Sequence, residues 1–153
     1  MANHLRRQIR DAIAARVTGL ATTGARVYVN NVDPLGVAEL PGLTVRNGGE
    51  MIERKTLTAP NPIIGRTMTI WITAVDKAAT GVPDSLDQMC QEVEIALLGA
   101  IDAMLLGGLA KDTTLIAVDE PKIAGDGDKI VGSVDMQFQV LVLAQEGIPD
   151  AAL

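Results

Sequence analysis

The stretch that most constrains the fold runs from Asp84 to Gly108, DSLDQMCQEVEIALLGAIDAMLLGG. Leu86, Met89, Cys90, Val93, Leu97, Ala100, Ile101, Met104 and Leu105 recur at the spacing of one helical face. Asp87, Gln91, Glu94 and Asp102 fall on the opposite, solvated face. Pro83 marks the entry, Asp84 and Ser85 are favourable N-cap residues, and Gly107-Gly108 supplies a left-handed stop. The spacing predicts one helix of about 33 Å, long enough to cover the width of a sheet. A helix with a single apolar face requires a second layer to bury it.

The material for that layer is aliphatic. The chain has 153 residues, 48% of them hydrophobic, yet only one Trp, one Tyr and one Phe. The core must therefore be built from Ala, Val, Leu, Ile and Met, within one domain spanning residues 1–153. The single cysteine, Cys90, excludes an intramolecular disulfide, and its place on the apolar helix face reads as buried and inert. No apolar run reaches the length of a membrane span, and the arginine-bearing start MANHLRRQIRDAIAARV lacks the apolar region of a secretory signal. The expectation is a soluble protein of a reducing compartment.

The net charge of −6 conceals a division. Residues 1–77 carry ten Lys+Arg against six Asp+Glu, and residues 78–153 carry three against thirteen. Either the charges are solvated on all sides of a monomer, or one surface is basic and another acidic, so that copies associate head to tail. The basic residues are dispersed and aromatics nearly absent, which argues against direct nucleic-acid recognition.

In chain order, Asn3 caps a first helix from about His4 to Leu20, with Leu5, Ile9, Ala12, Ile13, Val17 and Leu20 as its apolar stripe. A short strand, Arg26 to Val29, precedes the polar loop Asn31 to Gly36. Leu43 to Arg46 reads as a second strand, Asn47-Gly48-Gly49 as a hairpin turn, and Glu50 to Thr58 as a third strand pairing back. The segment Leu57 to Arg66, LTAPNPIIGR, reads as a loop or arm, with Ile63 and Ile64 either free to touch a partner or tucked over the sheet edge. Thr67 to Val75 alternates most clearly, with Met68, Ile70, Ile72 and Ala74 facing one way. Thr114 to Val118 and Ile130 to Ala144 are further strands, joined through an acidic turn at Ala124 to Asp128, and Gln145 to Leu153 reads as a flexible tail. The order α-β-β-β-β-α-β-β predicts an α+β fold: a single, mainly antiparallel sheet with two helices packed on one face.

Chemistry is scarce. Asn47-Gly48-Gly49 lacks the Lys and helix of a phosphate loop, His4 is the only histidine, and one Cys with one His cannot make a zinc site. Asp126-Gly127-Asp128 lacks the remaining ligands of a calcium loop, and Glu92 and Glu94, two apart on a helix, do not face each other. The expectation is no catalytic residue, no metal and no cofactor.

The succession of an N-terminal helix, Val27-Tyr28-Val29, the Pro34-Leu35 loop and Glu39-Leu40-Pro41 before Leu43-Thr44-Val45 resembles the start of the tail terminator proteins of long-tailed phages, the family typified by the minor tail protein U of phage lambda. Leu86-Asp87, Glu92-Val93-Glu94, Gly107-Gly108-Leu109 and the strand Val134 to Leu143 continue it over most of the chain. The resemblance implies a virion protein, assembled in the host cytoplasm. It implies a homo-oligomeric, hexameric ring on the head-proximal end of the tail. Its partners would be copies of itself, the tail tube protein and the head-tail connector, with no membrane involved. On this reading Arg46 to Arg66 forms an extended loop or hairpin that reaches the tube or a neighbour, with Arg46, Arg54, Lys55, Ile63, Ile64 and Arg66 as interface residues. Arg6 and Arg10 are expected to meet an acidic neighbour. A neck or tail-completion protein, a small α+β enzyme and a peptide-binding adaptor are the alternatives.

Overall fold

The structure, a computed structural model, describes residues 2–57 and 60–153. Its centre is a pair of long antiparallel strands, β3 (Ile63–Ala78) and β6 (Lys129–Gln145), in register from Ile63↔Gln145 to Ala78↔Ile130. Alternation along both strands sends Met68, Ile70, Ile72, Ala74, Val134, Met136, Phe138, Val140 and Val142 to one buried face. The remaining strands add to the edges of this pair. β2 (Gly42–Arg54) lies antiparallel to β3, and β1 (Val27–Val29) lies parallel to the start of β2. On the other side β4 (Asp112–Val118) and β5 (Lys122–Asp126) share successive lengths of the outer edge of β6. The result is a six-stranded, mainly antiparallel sheet with one parallel pair.

Helices cover one face. α1 (Leu5–Arg16) inserts Leu5, Ile9 and Ile13 against the β1–β2 side, and α2 (Val82–Leu98) inserts Leu86, Met89, Val93 and Leu97 over β3 and β6. The described residues form three α-helices, where the sequence predicts two. The long helix breaks at Gly99, whose N–H still donates to the Ile95 carbonyl at 2.9 Å, and Ala100 turns extended (φ −144, ψ 151). Glycine is a cheap place to end a helix. The chain restarts as the short α3 (Ile101–Met104), so that Ala103 and Leu106 face the core and Ile101 is left 70% exposed. At the other end α2 begins two residues before the expected cap. Gly81 (φ 77) precedes it and Pro83 sits in its first turn. The Ser85 hydroxyl is no cap; it donates to the Asp76 carboxylate at 2.5 Å, tying α2 to the end of β3. α1 is likewise shorter than expected and is capped by His4, not Asn3: the His4 Nδ1 accepts from the Arg6 N–H at 3.1 Å.

The expected turn at Asn47-Gly48-Gly49 is a bulge inside a single strand. Pairing with β3 runs through Asn47↔Ile70, skips, and resumes at Glu50↔Met68. Glycine serves here for close approach, because a Cβ on Gly48 would stand 3.0 Å from the Trp71 Nε1. The hairpin turn lies instead between Arg54 and Ile63, and Thr58, the expected end of a separate strand, falls outside the described residues. The last residues fold back: Ala152 bridges to Ala144, and the Leu153 N–H donates to the Leu143 carbonyl at 2.8 Å.

Gly132 tests the packing directly. A Cβ there would lie 2.5 Å from Val82 Cγ1 and 2.8 Å from Ile123 Cδ1. Gly132→Ala is expected to destabilise the fold by about 1–3 kcal/mol through overpacking. Urea denaturation with an unchanged m-value measures it.

Candidate interaction surfaces

The eight residues singled out from the sequence separate into two groups. Ile64 and Arg66 are not surface residues. β3 starts four residues earlier than expected, at Ile63, so the inward alternation of Met68 and Ile70 extends back through Arg66 to Ile64. Ile64 is 4% exposed and belongs to the core. Arg66 is 7% exposed and makes a two-pronged ion pair with Glu50, Nη2 to Oε1 at 2.9 Å and Nε to Oε2 at 3.2 Å. The His4 Nε2 stands 3.4 Å from the same guanidinium. This cluster joins the start of α1 to β2 and β3. Arg6 belongs with it, donating to the Gly48 carbonyl at 2.9 Å and closing the bulge. Arg10 is engaged by its neighbour Asp11 at 2.7 Å.

Arg46, Arg54, Lys55 and Ile63 lie further out. Arg46 is exposed on the sheet face that carries no helix, its guanidinium 5.4 Å from the Trp71 ring centroid. Thr67, Thr69, Thr73, Gln137 and Gln139 make the rest of this half-exposed face polar. At the end of the β2–β3 hairpin, Arg54 meets Glu146 and Lys55 meets Glu53, each at 2.5 Å, and all four side chains are exposed. Ile63 is half-buried at the start of β3. Around them stand apolar side chains that the sequence reading did not single out: Met51 is 79% exposed, Ile52 55% and Leu57 91%.

The outer side of α2 and α3 is acidic. Between Val82 and Met104 stand Asp84, Asp87, Glu92, Glu94 and Asp102, without a single Lys or Arg. Glu92 accepts from Thr22, and Asp102 pairs with Arg16 at 2.8 Å. Asp87 and Glu94 have no ion pair among the described residues. Beside them, at the helix break, lies a shallow groove of about 400 Å³ lined by Gln91, Glu94, Ile95, Leu98 and Gly99. A second groove, of about 510 Å³, lies where the loop Pro34 to Leu40 crosses the other sheet face over Thr73 and Val75. Lys77 at its rim holds the Asp126 carboxyl below the usual carboxylate range by hydrogen bonding and charge. No group of three or more His, Cys, Asp or Glu among the described residues could hold a metal.

Cys90 is half-buried and packed against the core. Burial first, then the nearby charges of Asp87 and Glu94, pushes its thiol up to about 11.

No family model matches the chain, and no curated protein matches it. Among solved structures it is similar to a chain of the "Virion of native gene transfer agent (GTA) particle", at 19% identity and a TM-score of 0.49 over 92% of each chain. That degree of similarity assigns no function.

Two predictions follow from these side chains. Glu50→Ala strands the buried Arg66 guanidinium and is expected to cost about 3–5 kcal/mol, whereas Glu50→Leu with Arg66→Met is expected to be near neutral. A double-mutant cycle by urea denaturation distinguishes the two, and equal losses in both variants would refute it. Since the Cys90 thiolate is minor below its raised pKa, its alkylation rate by iodoacetamide is expected to rise about tenfold per pH unit from about pH 8 to pH 10. A plateau near pH 9, as for an ordinary thiol, would contradict the assignment.

Proposed function

We propose that this chain is a structural protein of a phage tail. In this reading it forms a ring on the head-proximal end of the tail tube, ends tube polymerisation and prepares the attachment of the head. Its partners are copies of itself, the tube protein and the head-tail connector, and it acts without catalysis or cofactor.

What supports the reading first is the order of elements and motifs that resembles the tail terminators, from Val27-Tyr28-Val29 through Glu39-Leu40-Pro41 to Val134–Leu143. The structural observation that carries it is a surface with separated characters. One sheet face bears helices; the other is uncovered over Thr67, Thr69 and Trp71. Large apolar side chains are exposed on both faces of the hairpin end (Met51 on the helix-free face, Ile52 on the other), at the helix break (Ile95, Ile101) and along the outer strands (Ile116, Val118, Ile123). Grouped exposed apolar residues rimmed by charge mark surfaces that a partner covers. A ring subunit needs several such surfaces at once: two for its neighbours, one for the tube below and one for the connector above.

Electron microscopy of particles made after disruption of the gene in its parent genome tests the proposal. Overlong, headless tails are expected. Normal-length tails beside full heads would transfer the chain to a joining role in the neck, and ordinary infectious particles would refute a structural role in the tail.

A further inference from the structure

We infer that the free edge of β2, from Glu50 to Arg54, pairs antiparallel with the same edge of a second copy, about a two-fold axis at Ile52. Such a contact closes at two copies and is separate from the head-to-tail contacts of a ring.

The outer edge of β2 is covered only in part. β1 lies along Leu43 to Val45, the Asn30 N–H donates to the Val45 carbonyl at 2.9 Å, and Arg6 donates to the Gly48 carbonyl at 2.9 Å. Beyond the bulge this cover ends. There the Lys55 N–H donates to the Ile63 carbonyl at 2.8 Å, which makes Lys55 and Ile63 a hydrogen-bonded pair of the β2–β3 ladder. Antiparallel alternation then makes Glu53↔Gly65 and Met51↔Thr67 bonded pairs as well, and turns the N–H and C=O groups of Glu50, Ile52 and Arg54 outward. Among the described residues no hydrogen bond reaches those outward groups. A row of free backbone donors and acceptors is a template for another strand.

The residues along this edge select a copy of itself. Symmetric antiparallel pairing uses outward groups on both sides, so its axis falls at Glu50, Ile52 or Arg54. An axis at Glu50 would oppose two carboxylates and carry the partner into the bulge, and an axis at Arg54 would oppose two guanidinium groups. Like charges directly opposite reject both registers. With the axis at Ile52, the two isoleucines, each 55% exposed, meet across it. Glu50 then lies opposite Arg54 of the partner subunit on both sides of the axis, and Glu50, Ile52 and Arg54 each donate one backbone hydrogen bond and accept one. No internal ion pair has to break. Arg66 takes one hydrogen bond from each Glu50 oxygen, and a carboxylate has further acceptor sites. Arg54 keeps Glu146. Arg66, Glu50, Arg54 of the partner subunit and Glu146 of the partner subunit therefore follow one another with alternating sign. On the helix-free face Met51 falls opposite Glu53 of the partner subunit, which opposes no like charges.

Sedimentation velocity on the full chain tests this, with circular dichroism to establish that each variant is folded. The wild-type protein is expected to pass from monomer to dimer between about 10 μM and 1 mM, and to go no further. Only a residue on the axis meets its own copy, so Ile52→Lys and Ile52→Glu each oppose like charges there. Each variant alone is expected to be monomeric over that range. Mixed in equal amounts, the two are expected to form a heterodimer, because opposite charges then face each other at the axis. In the wild type, amide exchange at Glu50, Ile52 and Arg54 is expected to slow as the dimer forms, while Met51 and Glu53 are slow throughout. Wild-type protein that is still monomeric at about 1 mM overturns the inference. So does either variant that dimerises like the wild type, a mixture that stays monomeric, or a dimer in which Glu50, Ile52 and Arg54 exchange as fast as in the monomer.

Discussion

The antiparallel pairing of β3 with β6 is the constraint on which the rest of the molecule depends. The two strands run together from Ile63↔Gln145 to Ala78↔Ile130 without a break in register. A slip of one residue would turn Thr67, Thr69, Thr73, Gln137 and Gln139 into the core and Ile70, Ile72, Met136 and Phe138 out of it. That penalty makes the register specific, and the other elements take their positions from it. α2 starts four residues after β3 ends, and Val82 and Leu86 seat over Gly132 because no side chain stands there. β4, β5 and the returning residues Ala152 and Leu153 divide the outer edge of β6 among them. An edge occupied along most of its length offers fewer free backbone groups to another chain.

The strands with period-two alternation and the two main helices were legible in the sequence, because each has one buried face and that face is written in its own residues. What was not legible turned on glycine and on distant pairing. Asn47-Gly48-Gly49 has the composition of a tight turn, and only the approach of Trp71 makes it a bulge. Gly99 sits inside an apolar pattern that suits a continuous helix, and the break there reverses the roles of Ile101 and Ala103. The parallel pairing of β1 with Leu43–Val45 leaves no local trace in three residues. The Glu50–Arg66 pair was missed for a different reason. Carrying the parity of Met68 back along the strand would have placed Arg66 inward, and an inward arginine demands a carboxylate; the prolines at 60 and 62 hid how far the strand extends.

The basic half of the chain is therefore less available to partners than its charge suggests. Arg66 is spent on Glu50, Arg6 on the Gly48 carbonyl, Arg26 on the carbonyls of Pro41 and Thr22, and Arg16 on Asp102. These contacts fasten α1 and the following turn to β2, the bulge and the helix layer. Arg46 lies exposed over Trp71, and Arg54 and Lys55 on the hairpin end are held only by the exposed carboxylates of Glu146 and Glu53. The acidic half behaves otherwise. Its carboxylates on α2 and α3 are mostly outward; among them Glu92 accepts from Thr22 and Asp102 pairs with Arg16.

On the proposed reading, a subunit that caps a growing tube gains from this division of labour. Inside the subunit the Glu50–Arg66 pair is buried and two-pronged and is little screened by salt, whereas the outer surfaces carry exposed charges around small apolar groups. Such a contact is individually weak, since exposed pairs contribute little and the apolar residues at each side are few. Several weak contacts made at once on a template become strong, because each additional one is formed at a high effective concentration. On that reading, weak pairing in solution and firm closure on a template are two consequences of one surface chemistry.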